Sequence, residues 1–185
     1  YYPGSTVLHL KMLFDREGHL FGAQAVGPEG ADKRIDVIAS VMRSHGTIYD
    51  LEELELAYAP PFSSAKDPVN MLGFVAENVL DGLVEFISCA GLDEMAADAE
   101  AAKDMTILDV REDGEFAEYH IPGSVHIPLG RLRERLGEID KEKLTAVICA
   151  AGIRAYNGAR ILMQNGFSRV QVMEGGINFY KTQHY

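Results

Sequence analysis

Cys149-Ala150-Ala151-Gly152-Ile153-Arg154 is the stretch of this chain best equipped for chemistry. It follows the apolar run Ala146-Val147-Ile148 and precedes a segment that reads as a helix. A cysteine closing a buried strand, a short glycine-containing loop and an arginine opening a helix together make an activated sulfur. The loop amides and the helix N-terminus turn their positive ends toward it. The arginine adds a fixed charge. Both favour the thiolate, which is the nucleophilic form of cysteine. Cys149 and Arg154 are therefore candidate catalytic residues, and Ala150, Ala151, Gly152 and Ile153 are the candidate substrate cradle. The competing reading is a buried structural cysteine beside an arginine on a surface turn.

Four residues separate Cys149 from Arg154. That ring is tight and suits a single sulfur atom, whereas cysteine phosphatases use a wider loop to surround a phosphate. The segment resembles the active-site loop of the rhodanese family. Thr106-Ile107-Leu108-Asp109-Val110-Arg111, Glu115-Phe116, His120-Ile121-Pro122-Gly123-Ser124, Gly166-Phe167, Val170 and Gly175-Gly176 resemble other marks of that family and stand in its order. The resemblance covers roughly residues 84–185. It implies an α/β domain with a parallel sheet flanked by helices. It also implies transfer of sulfane sulfur through a persulfide on Cys149, with N–H groups of residues 150–154 stabilising the anion and Arg154 anchoring the loop.

The elements that must position this loop alternate between strand and helix after Ser88. Met105–Val110, Ser124–Ile127, Thr145–Cys149 and Arg169–Met173 are strand-like, while Leu129–Leu136 and Arg154–Asn165 are helical, the latter closed by Gly166. That alternation argues for a parallel sheet. Asp109 and Arg111 are expected at the end of its central strand, Asp109 facing the active loop and Arg111 pairing with a carboxylate such as Glu115. The earlier part reads differently. Val7–Phe14 and Leu20–Val26 are strands joined by the turn Asp15-Arg16-Glu17-Gly18, which is a hairpin. Asp32 can cap a helix to about Ser44 that Gly46 ends. Asp67-Pro68 opens a long helix with an apolar stripe of Met71, Leu72, Val75, Val79, Leu83 and Phe86. Two domains are expected, 1–83 with an antiparallel sheet in an α+β arrangement and 84–185 as α/β.

Between two helical segments of the first half runs Leu54-Glu55-Leu56-Ala57-Tyr58-Ala59-Pro60-Pro61-Phe62-Ser63-Ser64-Ala65-Lys66-Asp67-Pro68-Val69-Asn70. Prolines stiffen this loop and hold Tyr58 and Phe62 upon it. A rigid aromatic loop serves recognition, or caps a local core. Together with Tyr1-Tyr2-Pro3-Gly4, Lys33–Ala39 and Asp50-Leu51, the string resembles the C-terminal dimerisation domain of the NADH oxidase and coenzyme A-disulfide reductase group of flavoproteins. The order of the two halves resembles such a reductase fused to a rhodanese domain. This implies a homodimer in which Tyr58, Pro60, Pro61 and Phe62 lie near the partner's flavin, with Tyr58 as a catalytic hydroxyl for a thiol and Tyr1 or Tyr2 as a second one. It further implies FAD, NAD(P)H and coenzyme A as cofactors of a longer protein. No Gly-x-Gly-x-x-Gly lies between a strand and a helix here, so none of these is expected to be held by this chain alone. A start at Tyr1 without Met reads as part of a longer protein.

Composition narrows the classes further. The 185 residues carry a net charge of −11 and a pI near 4.9, which argues against nucleic acid or an anionic membrane as partner. No apolar run approaches a membrane span. The two cysteines, Cys89 and Cys149, make no disulfide framework, and a free reactive thiol fits the cytoplasm. Cys89 reads as core, and Arg131, Arg133 and Arg135 as a solvated face. His120 and His126 lack the further ligands that a metal would need. The expected substrates are small sulfur donors and thiol acceptors such as coenzyme A persulfide. Two other readings stand beside sulfur transfer: a non-catalytic oligomerisation and sulfur-sensing module, and a phosphatase, which the short loop disfavours.

Overall fold

The computed structural model describes residues 4–59 and 63–184. The chain divides into two compact units, Tyr1–Gly82 and Leu83–Tyr185.

The first unit begins with an antiparallel hairpin, β1 (His9–Phe14) and β2 (Leu20–Val26), in which His9 opposes Val26 and Phe14 opposes Leu20. Asp15 makes the turn. Its carboxylate accepts the N–H groups of Glu17 and His19, and Gly18 takes φ +86°. Helices α1 (Ala31–Arg43), α2 (Ile48–Glu53) and α3 (Pro68–Leu80) follow. The core joins Met12 and Leu20 of the hairpin to Ile38, Ile48, Leu51, Val69 and Ala76 of the helices.

Three local expectations change here. Gly30, in the left-handed region at φ 70°, precedes α1, and Asp32 sits within its first turn. At the other end the left-handed residue is His45 (φ 58°), not Gly46. Gly46, whose N–H bonds the Val41 carbonyl, is needed because a Cβ there would lie 2.5 Å from the Val41 side chain. The apolar stripe of α3 is also not its buried face. Val69, Asn70, Gly73 and Ala76 are buried, while Met71 and Val75 are 49% and 41% exposed. Leu83 and Phe86 lie beyond the end of the helix. The small residues face inward because α2 and α3 approach closely: a Cβ on Gly73 would meet the Ile48 carbonyl at 2.9 Å. Asp67 caps α3 from Val69 N–H. Burial would raise its carboxyl, but bonds from Arg34, Val69 and Ser63 outweigh it and hold it below the usual range.

The second unit contains β3 (Phe86–Ile87), α4 (Cys89–Ala97), α5 (Ala99–Lys103), β4 (Met105–Asp109), α6 (Asp113–Glu118), β5 (Val125–His126), β6 (Leu144–Ile148), α7 (Ile153–Gln164), β7 (Val170–Met173) and α8 (Gly176–Gln183). Leu129–Glu134 and Leu136–Glu138 are 3-10 turns where one helix is expected. The five strands are parallel, in the order β3-β7-β6-β4-β5. The central strand is therefore β6, and β4, which carries Asp109, lies beside it. All five residues of β6 are buried, as a strand covered on both faces requires. Its register aligns Ile148 with Asp109. Crossover connections in such a sheet bring strand ends and helix starts to one edge, and that edge is where Cys149 sits.

Candidate active site

β6 ends at Ile148, so Cys149 is the first residue of the loop rather than the last of the strand. Its residue surface is 1% exposed. The Gly152 N–H donates to Cys149 Sγ over 3.1 Å. Gly152 reaches that position at φ +117°, a conformation that side chains strongly resist. α7 starts immediately afterwards, so its unpaired N–H groups sit next to the sulfur. Ile153 stands 65% exposed on the rim, and Ala155 is buried against the core.

The carbonyl side of the loop is held by α8. Ile177 N–H bonds the Cys149 carbonyl at 2.8 Å, and Asn178 N–H bonds that of Ala150 at 3.1 Å. This contact depends on Gly176, at φ +63°: a Cβ there would lie 2.6 Å from the Cys149 and Ala150 carbonyl oxygens. α8 is itself fixed to α4. The Tyr180 hydroxyl donates to Asp93 Oδ1 at 2.6 Å, and His184 Nε2 lies 3.0 Å from Asp93 Oδ2. Burial and the Asp93 bond push the Tyr180 hydroxyl up.

Arg154 extends to α6. Its two terminal nitrogens bond the two oxygens of Glu115 at 2.6 and 2.7 Å. Glu115 also accepts the Glu112 N–H. The Arg154 bonds dominate, against a burial effect that opposes them, and they bring the Glu115 carboxyl down to about 2. This pairing replaces the expected one between Arg111 and Glu115. Arg111 instead grips Asp109, with Nε at 3.0 Å and Nη2 at 2.6 Å, and donates to the Tyr119 carbonyl. Asp109 is fully buried and faces Arg111, not the active loop. A buried carboxylate needs its ion partner at hand, and the residue two positions along its own chain is nearest.

Phe116 anchors the other side of α6. Its ring stacks between those of His120 and His126, with centroids 4.2 and 4.1 Å away. His120 Nδ1 bonds the Phe116 carbonyl and His126 Nε2 the Arg111 carbonyl. Both histidines thus serve the segment that carries Glu115. Cys89 is buried, and its Sγ lies 3.6 Å from the Glu174 carbonyl. Burial, then Asp93 and Glu174, pushes its thiol up. Among the described residues, Asp15, Glu17 and His19 place ligand atoms within 4.8 Å of one another, but Asp15 is already occupied by the hairpin turn. Among the described residues no helix is long and apolar enough to cross a membrane.

The structure thus assembles Cys149, Ala150, Ala151, Gly152, Ile153 and Arg154 into one cradle. Tyr58 belongs to the other unit and is 49% exposed. Pro60, Pro61 and Phe62 lie outside the described residues, as do Tyr1 and Tyr2. Two contributors escape a reading of the sequence: Glu115 as the partner of Arg154, and Gly176 as the seat of the loop. Glu115-Phe116 and Gly175-Gly176 are visible as motifs, yet only the fold shows what each one touches.

Residues 91–183 match the model of the rhodanese-like domain. The chain belongs to the rhodanese-like domain family. Coenzyme A disulfide reductase of Staphylococcus epidermidis (strain ATCC 35984) is 49% identical over 78 residues, which are 42% of this chain and 18% of that protein. Two solved structures match nearly the whole chain. Reduced CoADR-RHD of Bacillus anthracis has a TM-score of 0.90 at 42% identity, covering 98% of this chain and 32% of that one. The NAD-dependent persulfide reductase from A. fulgidus has a TM-score of 0.83 at 40% identity, covering 97% and 31%. The chain therefore spans about a third or less of each of these three proteins.

Proposed function

We propose that the rhodanese unit is a sulfurtransferase working through a persulfide on Cys149. The observation that carries this reading is the Cys149 sulfur, bonded by Gly152 N–H beneath the start of α7 and framed by a braced Arg154. Cys149 thiolate attacks the outer sulfur of a donor, the donor's thiol departs, and the new terminal sulfur rests among the loop N–H groups. An acceptor thiol then takes that sulfur and restores the thiolate.

In the larger protein this unit would serve FAD- and NAD(P)H-dependent reduction of coenzyme A persulfide, polysulfide or disulfide. Likeness to a coenzyme A disulfide reductase and to a persulfide reductase supports this. The nucleotide cofactors would be held outside this chain, which has no Gly-x-Gly-x-x-Gly between a strand and a helix. The first unit would form a homodimer and bring Tyr58 with Pro60, Pro61 and Phe62 toward a partner's flavin. A free nucleophilic thiol fits the reducing cytoplasm.

The test uses intact mass. The chain is incubated with an alkyl persulfide and then with a thiol. One added sulfur should appear on Cys149, vanish with the acceptor thiol, and be missing in Cys149→Ser. Failure to add sulfur, or equal addition to Cys149→Ser, overturns the reading.

A further inference from the structure

We propose that Glu115 is a specificity-determining residue: by occupying both terminal nitrogens of Arg154 it cancels the one charge in the cradle and turns the site toward alkyl persulfides and polysulfides rather than dianionic thiosulfate. This rests on the sulfurtransferase reading above.

Arg154 is the only charged residue from 149 to 154. An unpaired guanidinium beside a nucleophilic sulfur would draw anions to it. Here both its terminal nitrogens are committed to Glu115, at 2.6 and 2.7 Å. Glu112 also acts on Arg154, and Arg111, the other arginine near Glu115, is spent on buried Asp109. With Cys149 as thiolate, the surroundings of the sulfur are net negative. The remaining rim is Ala150, Ala151 and exposed Ile153, which offer no hydroxyl and no cation. Such a rim favours a soft terminus of low charge, because stripping water from a dianion there is offset by no side-chain donor or cation, only by the loop N–H groups.

The two donors react by the same step. The Cys149 Sγ–S bond forms as the donor's S–S bond breaks, and the electron pair of that bond leaves with the departing group. From an alkyl persulfide the departing group is a thiolate, which takes up the persulfide's proton. From thiosulfate it is sulfite, so a dianion must both arrive and leave.

The experiment compares kcat/KM for thiosulfate and for an alkyl persulfide, with a common acceptor thiol, in wild type and Glu115→Gln. Dianionic thiosulfate feels the removed charge directly, while the protonated alkyl persulfide carries no net charge, so the thiosulfate-to-persulfide ratio should rise roughly tenfold in the variant. The change should appear mainly in KM for thiosulfate. Glu112→Gln, which leaves the Arg154 pair intact, should move the ratio less. Salt gives a readout without mutation: in wild type, thiosulfate kcat/KM should climb with added KCl while persulfide kcat/KM changes little. A ratio that stays level or falls in Glu115→Gln overturns the proposal. So does wild type that prefers thiosulfate, or thiosulfate turnover that drops with salt. If wild-type Cys149 gains sulfur from neither donor, the sulfurtransferase reading itself has failed. If it gains sulfur normally and only the ratio is unmoved, the failure belongs to Glu115.

Discussion

Gly176→Ala probes whether α8 is a positioning element of the cradle. The new methyl would lie 2.6 Å from the carbonyl oxygens of Cys149 and Ala150 and from the Ala150 carbonyl carbon. Ordinary contact begins at 3.4 Å, so loop and helix must separate by ~0.8 Å. The partners are backbone atoms and cannot swing aside as a long side chain would. Gly176 also has φ +63°, where alanine adds roughly 1–2 kcal/mol of strain. Clash and strain together should cost about 2–4 kcal/mol of stability. The larger effect should be on chemistry, because the two hydrogen bonds from Ile177 and Asn178 set the carbonyls of the residues that also present the sulfur. A misplacement approaching 1 Å at a reacting group can lower a rate by roughly 100-fold. The assay is persulfide formation on Cys149, timed by intact mass at a temperature where thermal melting shows the variant folded. Leu92→Ala, in the same core and fully buried, should lose about 2–5 kcal/mol while keeping most of its sulfur transfer. If Gly176→Ala adds sulfur as fast as wild type, or slows no more than Leu92→Ala, α8 does not position the loop.

Three further outcomes are expected. Iodoacetamide should alkylate Cys149 before Cys89, whose thiol is pushed up by burial and by Asp93 and Glu174; peptide mapping after partial reaction would show equal labelling if this is wrong. Glu115 has its carboxyl lowered from 4.5 to about 2 by Arg154, so its contribution to stability is full above pH 4.5 and fades as pH falls toward about 2. Acid unfolding followed by circular dichroism should lose part of that limb in Glu115→Gln, and an unchanged limb would deny the pair a role. Sedimentation at micromolar concentration should show a homodimer, and Val75→Glu should weaken it, because Val75, Met71 and Phe21 leave an apolar surface exposed on the first unit; a wild-type monomer would refute this.

Much of the framework is legible in the sequence because its signals are local. β2 spans Leu20–Val26 as its alternation and flanking turn indicate, and α3 starts where Asp67-Pro68 says it should. The Cys149 loop is equally plain, since strand, cysteine, glycine and helix are consecutive. What escapes the sequence is which neighbour a group meets across space. The α3 stripe misleads because hydrophobicity alone does not show where two helices approach closely. Gly73 and Ala76 face inward for that closeness, and the larger Met71 and Val75 are left outside. His45 takes the left-handed turn that Gly46 could have taken because contact with Val41, not φ, fixes the glycine. Arg111 and Arg154 show the same limit: Arg111 turns back to Asp109, two residues earlier in its own chain, and Arg154, with no acidic neighbour in sequence, reaches Glu115 across the fold.

The electrostatic design of the cradle follows from these pairings. An arginine next to a cysteine suggests in sequence that a side-chain cation holds the anion. In the structure that cation is bonded to Glu115, and the hydrogen bond that reaches the sulfur comes from the backbone, the Gly152 N–H, in a loop whose carbonyls are held by α8. Backbone dipoles stabilise a charge without requiring a counter-ion to enter or leave. They also exert little long-range pull on other anions, since their field falls off within a turn of helix. Under the proposed sulfurtransferase function, a site built this way would keep a thiolate and a persulfide in nearly the same environment through both halves of the transfer. Arg154 then acts as a brace between α7 and α6, which explains why Phe116 and two histidines are committed to holding the segment that carries Glu115.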